Sequence, residues 1–312
     1  MCIRDRSDTA IMGGIAADIE GRPDGMLIYA DSNPGKIKIS YGGVSRNITE
    51  NLARLGADVS FCSIAGNDFI GRAAKQQLES LGADVSGVKL EDGESTAIYL
   101  SILDSCGDME LALCNMDILE KIDKSFINEA AETLKTSKIV GIDTNMTEEN
   151  IYYLTEKVQG TPIFIDPVSV TKSQRIKNFV GRFHTVKPNR IEAQAISGIK
   201  IKSDGDLNRA ANWFLSAGVK RIFITLGEGG VFFADEKESG IVKAGRVNIV
   251  SATGAGDAFS AACLKAFVDG LGIRETAELA MAASALALES CAAVNPLMSA
   301  ELLRVRAGNL SK

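Results

Sequence analysis

The sequence predicts an α/β fold, a mostly parallel sheet flanked by helices on both faces that carries a small antiparallel β lid. Three observations predict it. Short β-branched runs alternate with helix-length amphipathic stretches. Several of the runs end in small or polar residues, where open α/β sheets place their ligands. Two further stretches keep strand alternation without an intervening helix. With 312 residues, 46% of them apolar, the chain has material for a sizeable core.

Strands are expected at "TAIM" (9–12), "DVSFCSIAG" (58–66), "KIVGID" (138–143), "TPIFIDP" (161–167), "FHTVKPN" (183–189) and "RIFITLG" (221–227). Between and after them, helices are expected at 43–56, 69–82, 125–136, 147–158, 190–197, 206–217, 255–270 and 276–291. Residues 19–41 and 95–115 alternate around turn residues and read as the lid. No repeat, low-complexity tract or linker divides the chain, so one domain over 7–312 is expected, with the lid inserted in it. The opening "MCIRDR" (1–6) is charged, lacks the apolar run and cleavage pattern of a signal peptide, and reads as a non-native tail.

A formal net charge of −6 offers no basic field to nucleic acid or an anionic membrane surface, and neither partner is expected. The longest apolar run, 277–294, is mostly alanine and broken by Glu289, so it reads as a buried helix rather than a membrane span. The six cysteines form no C-x-x-C pair and lie on segments that read as buried; free thiols in a reducing, cytoplasmic setting are expected. His184 is the only histidine and Trp213 the only tryptophan, and both read as packed residues without a chemical role.

The stretch "SATGAGDAFSAA" (251–262) concentrates the chemistry. The chain has no G-x-x-x-x-G-K-[ST] and no completed G-x-G-x-x-G, so a P-loop or dinucleotide turn is excluded. Gly254 and Gly256 allow close backbone approach, and the N–H groups of Ala255, Gly256 and Asp257 would open a helix toward an anion. Asp257 taken alone fits two readings, a simple helix cap or a group that serves the reaction.

Other motifs decide between them. "GGVSRNITENLARLG" (42–56), "DPVS" (166–169), "TVKPNRIEA" (185–193), "TLGEGGVFF" (225–233) and "TGAGDAFSA" (253–261) occur in this order. Together they resemble the PfkB, or ribokinase-like, family of carbohydrate and nucleoside kinases, over residues 9 to about 300. The resemblance implies a ribokinase-like three-layer fold and transfer of the γ-phosphoryl group of ATP to a substrate hydroxyl. Asp257 is then the catalytic base, and the backbone of Gly254, Ala255 and Gly256 forms the anion hole. A carboxylate at a helix N-terminus is expected to stay ionised at neutral pH.

The same resemblance places Thr225 and Gly227 along the nucleotide and assigns Asn189 and Glu192 to Mg²⁺, mostly through water. Asn189 and Glu192 also have the spacing of a capping box, and both roles can hold at once. Asn295 is expected near the adenine. Many relatives use a monovalent cation beside this turn, with an acid two residues before the threonine; here that position is Ser251, which weakens the expectation. For the substrate, the resemblance implies that Gly42, Gly43 and Asn47 line the sugar and that Asp18 grips its hydroxyls. Asp143 is either a further sugar contact or a strand-end turn residue. Ribokinases usually carry Asn two residues before the acid, where this chain has Ala16.

Within the family, "GGVSRNITENLARLG", "IDPVSVTK", "KPNRIEA" and "ALALESCAAVNPLMS" look like pseudouridine kinases more than ribokinases, fructokinases or adenosine kinases. Pseudouridine is therefore the expected substrate; a kinase of ribose, fructose or a related sugar is the alternative, and a catalytically silent nucleotide- or sugar-binding sensor the reading of another class. The lid is expected to close over the substrate and to pair with a second copy as a homodimer.

Overall fold

The computed structural model describes residues 7–310, so the expected tail at 1–6 and Cys2 lie outside the described residues. The strands of the large sheet are β1 (Thr9–Met12), β4 (Val59–Gly66), β5 (Val88–Glu91), β8 (Ile139–Asp143), β9 (Ile163–Asp166), β10 (Thr185–Val186), β11 (Arg221–Thr225), β12 (Val231–Ala234) and β13 (Ser239–Val242). The lid strands are β2 (Ala16–Pro23), β3 (Gly35–Gly42), β6 (Ala97–Leu103) and β7 (Met109–Asn115).

Across the large sheet the order is β13-β12-β11-β10-β9-β8-β1-β4-β5. From β11 to β5 every pairing is parallel; β12 and β13 add an antiparallel hairpin at one edge. The burial of β1 and β4 explains their nearly continuous apolar sequences. In β1, Ala10 and Met12 enter one apolar cluster while Ile11 enters the other, so both faces of the strand are covered.

On the face that Ile11 enters lie α1 (Val44–Arg54), α2 (Phe69–Ser80), α8 (Ala255–Val268), α9 (Ile273–Leu288) and α10 (Ala300–Leu310). The opposite face carries α3 (Lys124–Thr136), α4 (Glu148–Lys157), α5 (Val170–Ser173), α6 (Arg190–Ser197) and α7 (Asp204–Ala217). Among the described residues no helix is long and apolar enough to cross a membrane. The alanine-rich run of α9 is buried against α8 instead, where small side chains let the two axes approach.

Differences from the sequence expectation have local causes. The strand expected over 183–189 shrinks to Thr185–Val186 because Pro188 has no N–H to continue the ladder. The β12–β13 hairpin, signalled by "VFFADEKESGIV", was not anticipated; Asp235 closes its turn by accepting from the N–H groups of Lys237 and Glu238. β5, α5 and α10 were likewise unforeseen. Three cysteines expected to be buried, Cys106, Cys114 and Cys291, are exposed because they lie on the lid or in a loop, whereas Cys62 and Cys263 are buried; all five are free thiols.

The lid is a separate sheet of order β3-β2-β6-β7. Its two outer pairs are antiparallel and the central β2–β6 pair is parallel. The register sorts its faces. Asp18, Ser40, Tyr99 and Cys114 form one cross-strand row, and Glu20, Lys38 and Ser101 continue that face. The alternate rows are Ile19, Ile39, Leu100 and Leu113, and Gly21, Ile37, Ile102 and Leu111. The polar face is turned toward the main body, since Lys38 Nζ donates to the carbonyl of Cys291 at 2.9 Å, in the loop after α9.

The core that holds α8 in place is testable. Leu264 is wholly buried between α8 and the sheet, and Leu264→Ala is expected to destabilise the fold by about 2–5 kcal/mol in urea unfolding, from lost burial plus the residual cavity.

Candidate active site

The carboxyl ends of β1, β8, β9, β10 and β11 open onto one cleft, into which the N-termini of α1 and α8 also point. Gly254 caps α8 with φ of 82°, and a Cβ there would lie 1.7 Å from the carbonyl oxygen of Ala293. Only glycine fits both the left-handed backbone and that contact. Among the described residues no side chain caps α8, so the first-turn N–H groups of Ala255, Gly256 and Asp257 face outward at the positive end of the helix dipole.

Asp257 does not cap its own helix. Its carboxylate Oδ2 accepts from Nδ2 of Asn47 at 2.8 Å, which ties α8 to α1 across 210 residues of sequence. Burial pushes the Asp257 carboxyl up to about 7; Asn47 opposes the rise, Asp166 and Asp143 add to it, and Lys187 offsets part of it. The expectation of full ionisation at neutral pH is corrected accordingly. Desolvation and two neighbouring acids outweigh the helix dipole.

At the start of α1, Gly43 adopts φ of 98°, and a Cβ there would sit 2.6 Å from the carbonyl oxygen of Gly14. Gly42 packs directly on Asp18, whose Oδ2 would lie 2.2 Å from a Cβ at that position. Burial raises the Asp18 carboxyl and Arg46 opposes the rise. The structure thus brings Asp18, Gly42, Gly43, Asn47 and Asp257 to one side of the cleft.

Asp143 behaves differently. It is 0% exposed, with one oxygen taken by the backbone N–H and hydroxyl of Ser45, at 3.1 and 2.6 Å, and the other by the N–H of Asn145 at 2.7 Å. Of the two readings open from sequence, the sugar contact is corrected to the strand-end role. With no accessible oxygen, Asp143 serves as a tertiary cap for α1, whose own N-cap residue, Gly43, has no side chain to offer.

Behind the α8 turn lies a pair that the sequence motifs contained but that was not singled out. Lys187 Nζ and Asp166 Oδ2 form a buried ion pair at 2.6 Å; Ser260 Oγ donates to the same oxygen, and the N–H of Val168 donates to the other. Lys187 also reaches the carbonyl of Gly256 at 3.5 Å. Burial pushes the Lys187 ammonium down, but Asp166 beside it prevails and holds it above the ordinary lysine value. The readable signal was a charge at the end of each of two apolar strands, in "IFIDP" and "TVKPN".

At the start of α6, Asn189 and Glu192 form a complete capping box. Asn189 Oδ1 accepts from the N–H groups of Ile191 and Glu192, both at 2.9 Å, and Glu192 Oε2 accepts from the Asn189 N–H at 2.8 Å. The metal expectation for Asn189 changes as a result. Its oxygen is spent on the helix, which leaves the amide Nδ2, a donor suited to phosphate rather than to a cation. Glu192 is buried, burial raises its carboxyl, and its Oε1 accepts no hydrogen bond among the described residues.

Thr225 pairs with Asn189 in an isolated bridge, and Gly227, φ of 62°, has open space beside it. Asn295, expected at the adenine, is buried and tied to the backbone of α9 and of its own loop, donating to the Leu286 carbonyl at 2.6 Å and accepting from the Leu297 N–H at 2.9 Å. His184 lies against Phe267 at 5.0 Å between centroids, and burial with Arg221 and Lys220 lowers it to about 4, so it is neutral.

A family model for pfkB family carbohydrate kinases matches residues 8–300. The chain belongs to the PfkB family. The kinase is 35% identical to pseudouridine kinase of Escherichia coli, with 95% of both chains covered. It is 33% identical to the uncharacterized sugar kinase YeiI of the same organism, over 93% of this chain and 81% of that one. The solved ribokinase of Arabidopsis thaliana, complexed with ribose and ATP, superposes with a TM-score of 0.85 at 19% identity over 97% of this chain and 99% of that one, a likeness of fold. The enzyme is an ATP-dependent kinase with an alcohol group as acceptor.

The raised carboxyl of Asp257 links the site to stability. Above pH 7 it is charged in both folded and unfolded states, and the folded state bears the burial. Below pH 7 the folded protein takes up a proton that the unfolded chain, near its model value of 3.8, does not yet bind, so stability rises as pH falls from 7 toward 4. Asp257→Asn is expected to melt above the parent at pH 8, with the gap closing by pH 5; an equal gap at both pH values would contradict the assignment.

Proposed function

We propose that this kinase transfers the γ-phosphoryl group of ATP to the 5′-hydroxyl of pseudouridine, with Asp257 as the catalytic base. The observation that carries the mechanism is the placement of one carboxylate at the uncapped N-terminus of α8, held by Asn47 and tuned to about 7. A base of that strength is matched to neutral pH. Asp257 takes the hydroxyl proton as the new oxygen–phosphorus bond forms and the bond to ADP breaks. The N–H groups of Ala255, Gly256 and Asp257 then hold the oxygens of the transferring group, where its charge is spread.

Gly42, Gly43 and Asn47 lie against the sugar, and Asp18 accepts from its hydroxyls on the polar face of the lid. Thr225, Gly227 and the amide of Asn189 follow the triphosphate. Glu192 Oε1, which accepts no hydrogen bond among the described residues, is the oxygen suited to Mg²⁺ through water. Bound Mg²⁺ would supply charge neutralisation for the phosphates. The choice of pseudouridine rests on the 35% identity with a pseudouridine kinase over nearly the full length of both chains. A sugar such as ribose or fructose is the alternative acceptor.

ATP turnover with pseudouridine, uridine, adenosine, ribose and fructose tests the substrate. Pseudouridine is expected to give the highest kcat/KM, and a preference for ribose would retire the nucleoside. Asp257→Asn is expected to bind both substrates and lose about 10²–10⁴-fold in kcat; near-normal turnover would remove Asp257 from the reaction.

The lid also supports a homodimer. Its outer face exposes Ile37, Ile39, Leu111 and Leu113, with Ile37 75% and Leu113 61% exposed. A second copy would cover that face and both lid edges. Light scattering is expected to give twice the monomer mass, and Ile37→Lys with Leu113→Lys to halve it; a monomeric parent would sink this reading.

A further inference from the structure

Arg46 is 2% exposed, lies beside the site and has no part in the mechanism above. Its charge is balanced on α1 itself, where Glu50 contacts it and is also held by Arg54 at 2.7 Å. The guanidinium is fixed from two further sides. Nη2 donates to Gln77 Oε1 on α2 at 2.5 Å, and Nη1 reaches the Tyr41 carbonyl at the root of the lid at 3.4 Å. Nη1 also donates to Asn47 Oδ1 at 3.0 Å, while the Nδ2 of the same amide donates to Asp257.

An amide set between two groups has two orientations that differ by exchange of O and N. A guanidinium can only donate, so it demands the oxygen. The nitrogen is thereby turned toward Asp257. We propose that Arg46 is a positioning residue for phosphoryl transfer, which locks the Asn47 amide so that it donates to the catalytic carboxylate. This rests on the reading of Asp257 as the base. The sequence hides it, because Arg46 stands between motif residues in "GGVSRNITE" and looks like an ordinary helix-surface charge.

The consequence is a pH dependence. An N–H donated to a carboxylate favours its charged form, whereas an amide oxygen turned toward it favours the protonated form. The groups that face Asp257 are Asn47 from α1, Asp143 from the end of β8, Asp166 from the end of β9 and Lys187 beyond β10. Asp18, on the lid, feels Arg46 directly. Replacing Arg46 leaves the Asp143, Asp166 and Lys187 contributions to Asp257 in place and frees the Asn47 amide to turn over.

The test is the pH profile of kcat/KM for Arg46→Met, Arg46→Lys, Asn47→Ala and the double variant Arg46→Met/Asn47→Ala, at a temperature where each is folded by circular dichroism. Glu50 keeps Arg54 in every variant, and Arg46→Lys keeps a charge beside it should Arg46→Met fail to fold. The acid limb is expected to move up by about one pH unit in Arg46→Met, which is about a tenfold loss of kcat/KM well below the limb and a smaller one at pH 9. Arg46→Lys, with one compact donor in place of the fork, is expected to move the same way. In the Asn47→Ala background, Arg46→Met is expected to shift the limb no further. An acid limb unchanged from the parent in both Arg46 variants, even with a lowered Tm, would overturn the proposal and leave the base intact. Turnover surviving in Asp257→Asn would instead remove the base itself.

Discussion

The hydrogen bond from Asn47 to Asp257 joins the two halves of the site. α1 brings the glycines that lie beside the lid, and α8 brings the uncapped glycine-rich turn. Neither helix start is held by a side-chain cap of its own: Gly43 and Gly254 open them, and both glycines are demanded by positive φ and by a carbonyl packed against the missing Cβ. Tertiary partners replace the caps. Asp143 takes the N–H of Ser45 in the first turn of α1, and the first turn of α8 keeps no side-chain cap. Two helix N-termini meet at one cleft because the parallel strands between them all end there.

The acids at the strand ends share one buried ammonium, that of Lys187. Asp143, Asp166 and Asp257 lie close enough to influence one another, and Lys187 is the ammonium among them. Lys187 is paired with Asp166, so Asp257 keeps only a partial share of its field and stays near neutrality in its affinity for protons. Asn47 donates to the charged form of Asp257 and opposes part of the rise that burial causes, so the orientation of its amide bears on the proton affinity of that carboxyl.

The lid presents a polar face to the body and an apolar face away from it on one thin sheet. A strand period of two sends Asp18, Lys38 and Ser40 toward the body and Ile37, Ile39, Leu111 and Leu113 away from it. A one-residue slip in register would exchange the two sets and turn Asp18 out of the cleft. The parallel β2–β6 pair at its centre follows from β2 and β6 both leaving the carboxyl edge of the large sheet.

Periodicity and motif order alone determined the layered α/β fold, the helices α1–α4 and α6–α9, the lid and the family, because those features depend on local pattern and on short glycine-rich turns. That the segments carrying Asp257 and Asn47, and Asp18 and Gly42, come together was legible for the same reason. Tertiary structure decided what depends on where a side chain ends. Asp143 and Asn295 carry suitable chemistry, yet burial commits every oxygen of one and the amide of the other to backbone partners. Asn189 spends its oxygen on its helix, and Asp257 gains its raised proton affinity from burial first and then from acids more than 90 residues away in sequence. Sequence spacing reports which groups are present, whereas desolvation and hydrogen-bond commitment arise only when distant strand ends converge.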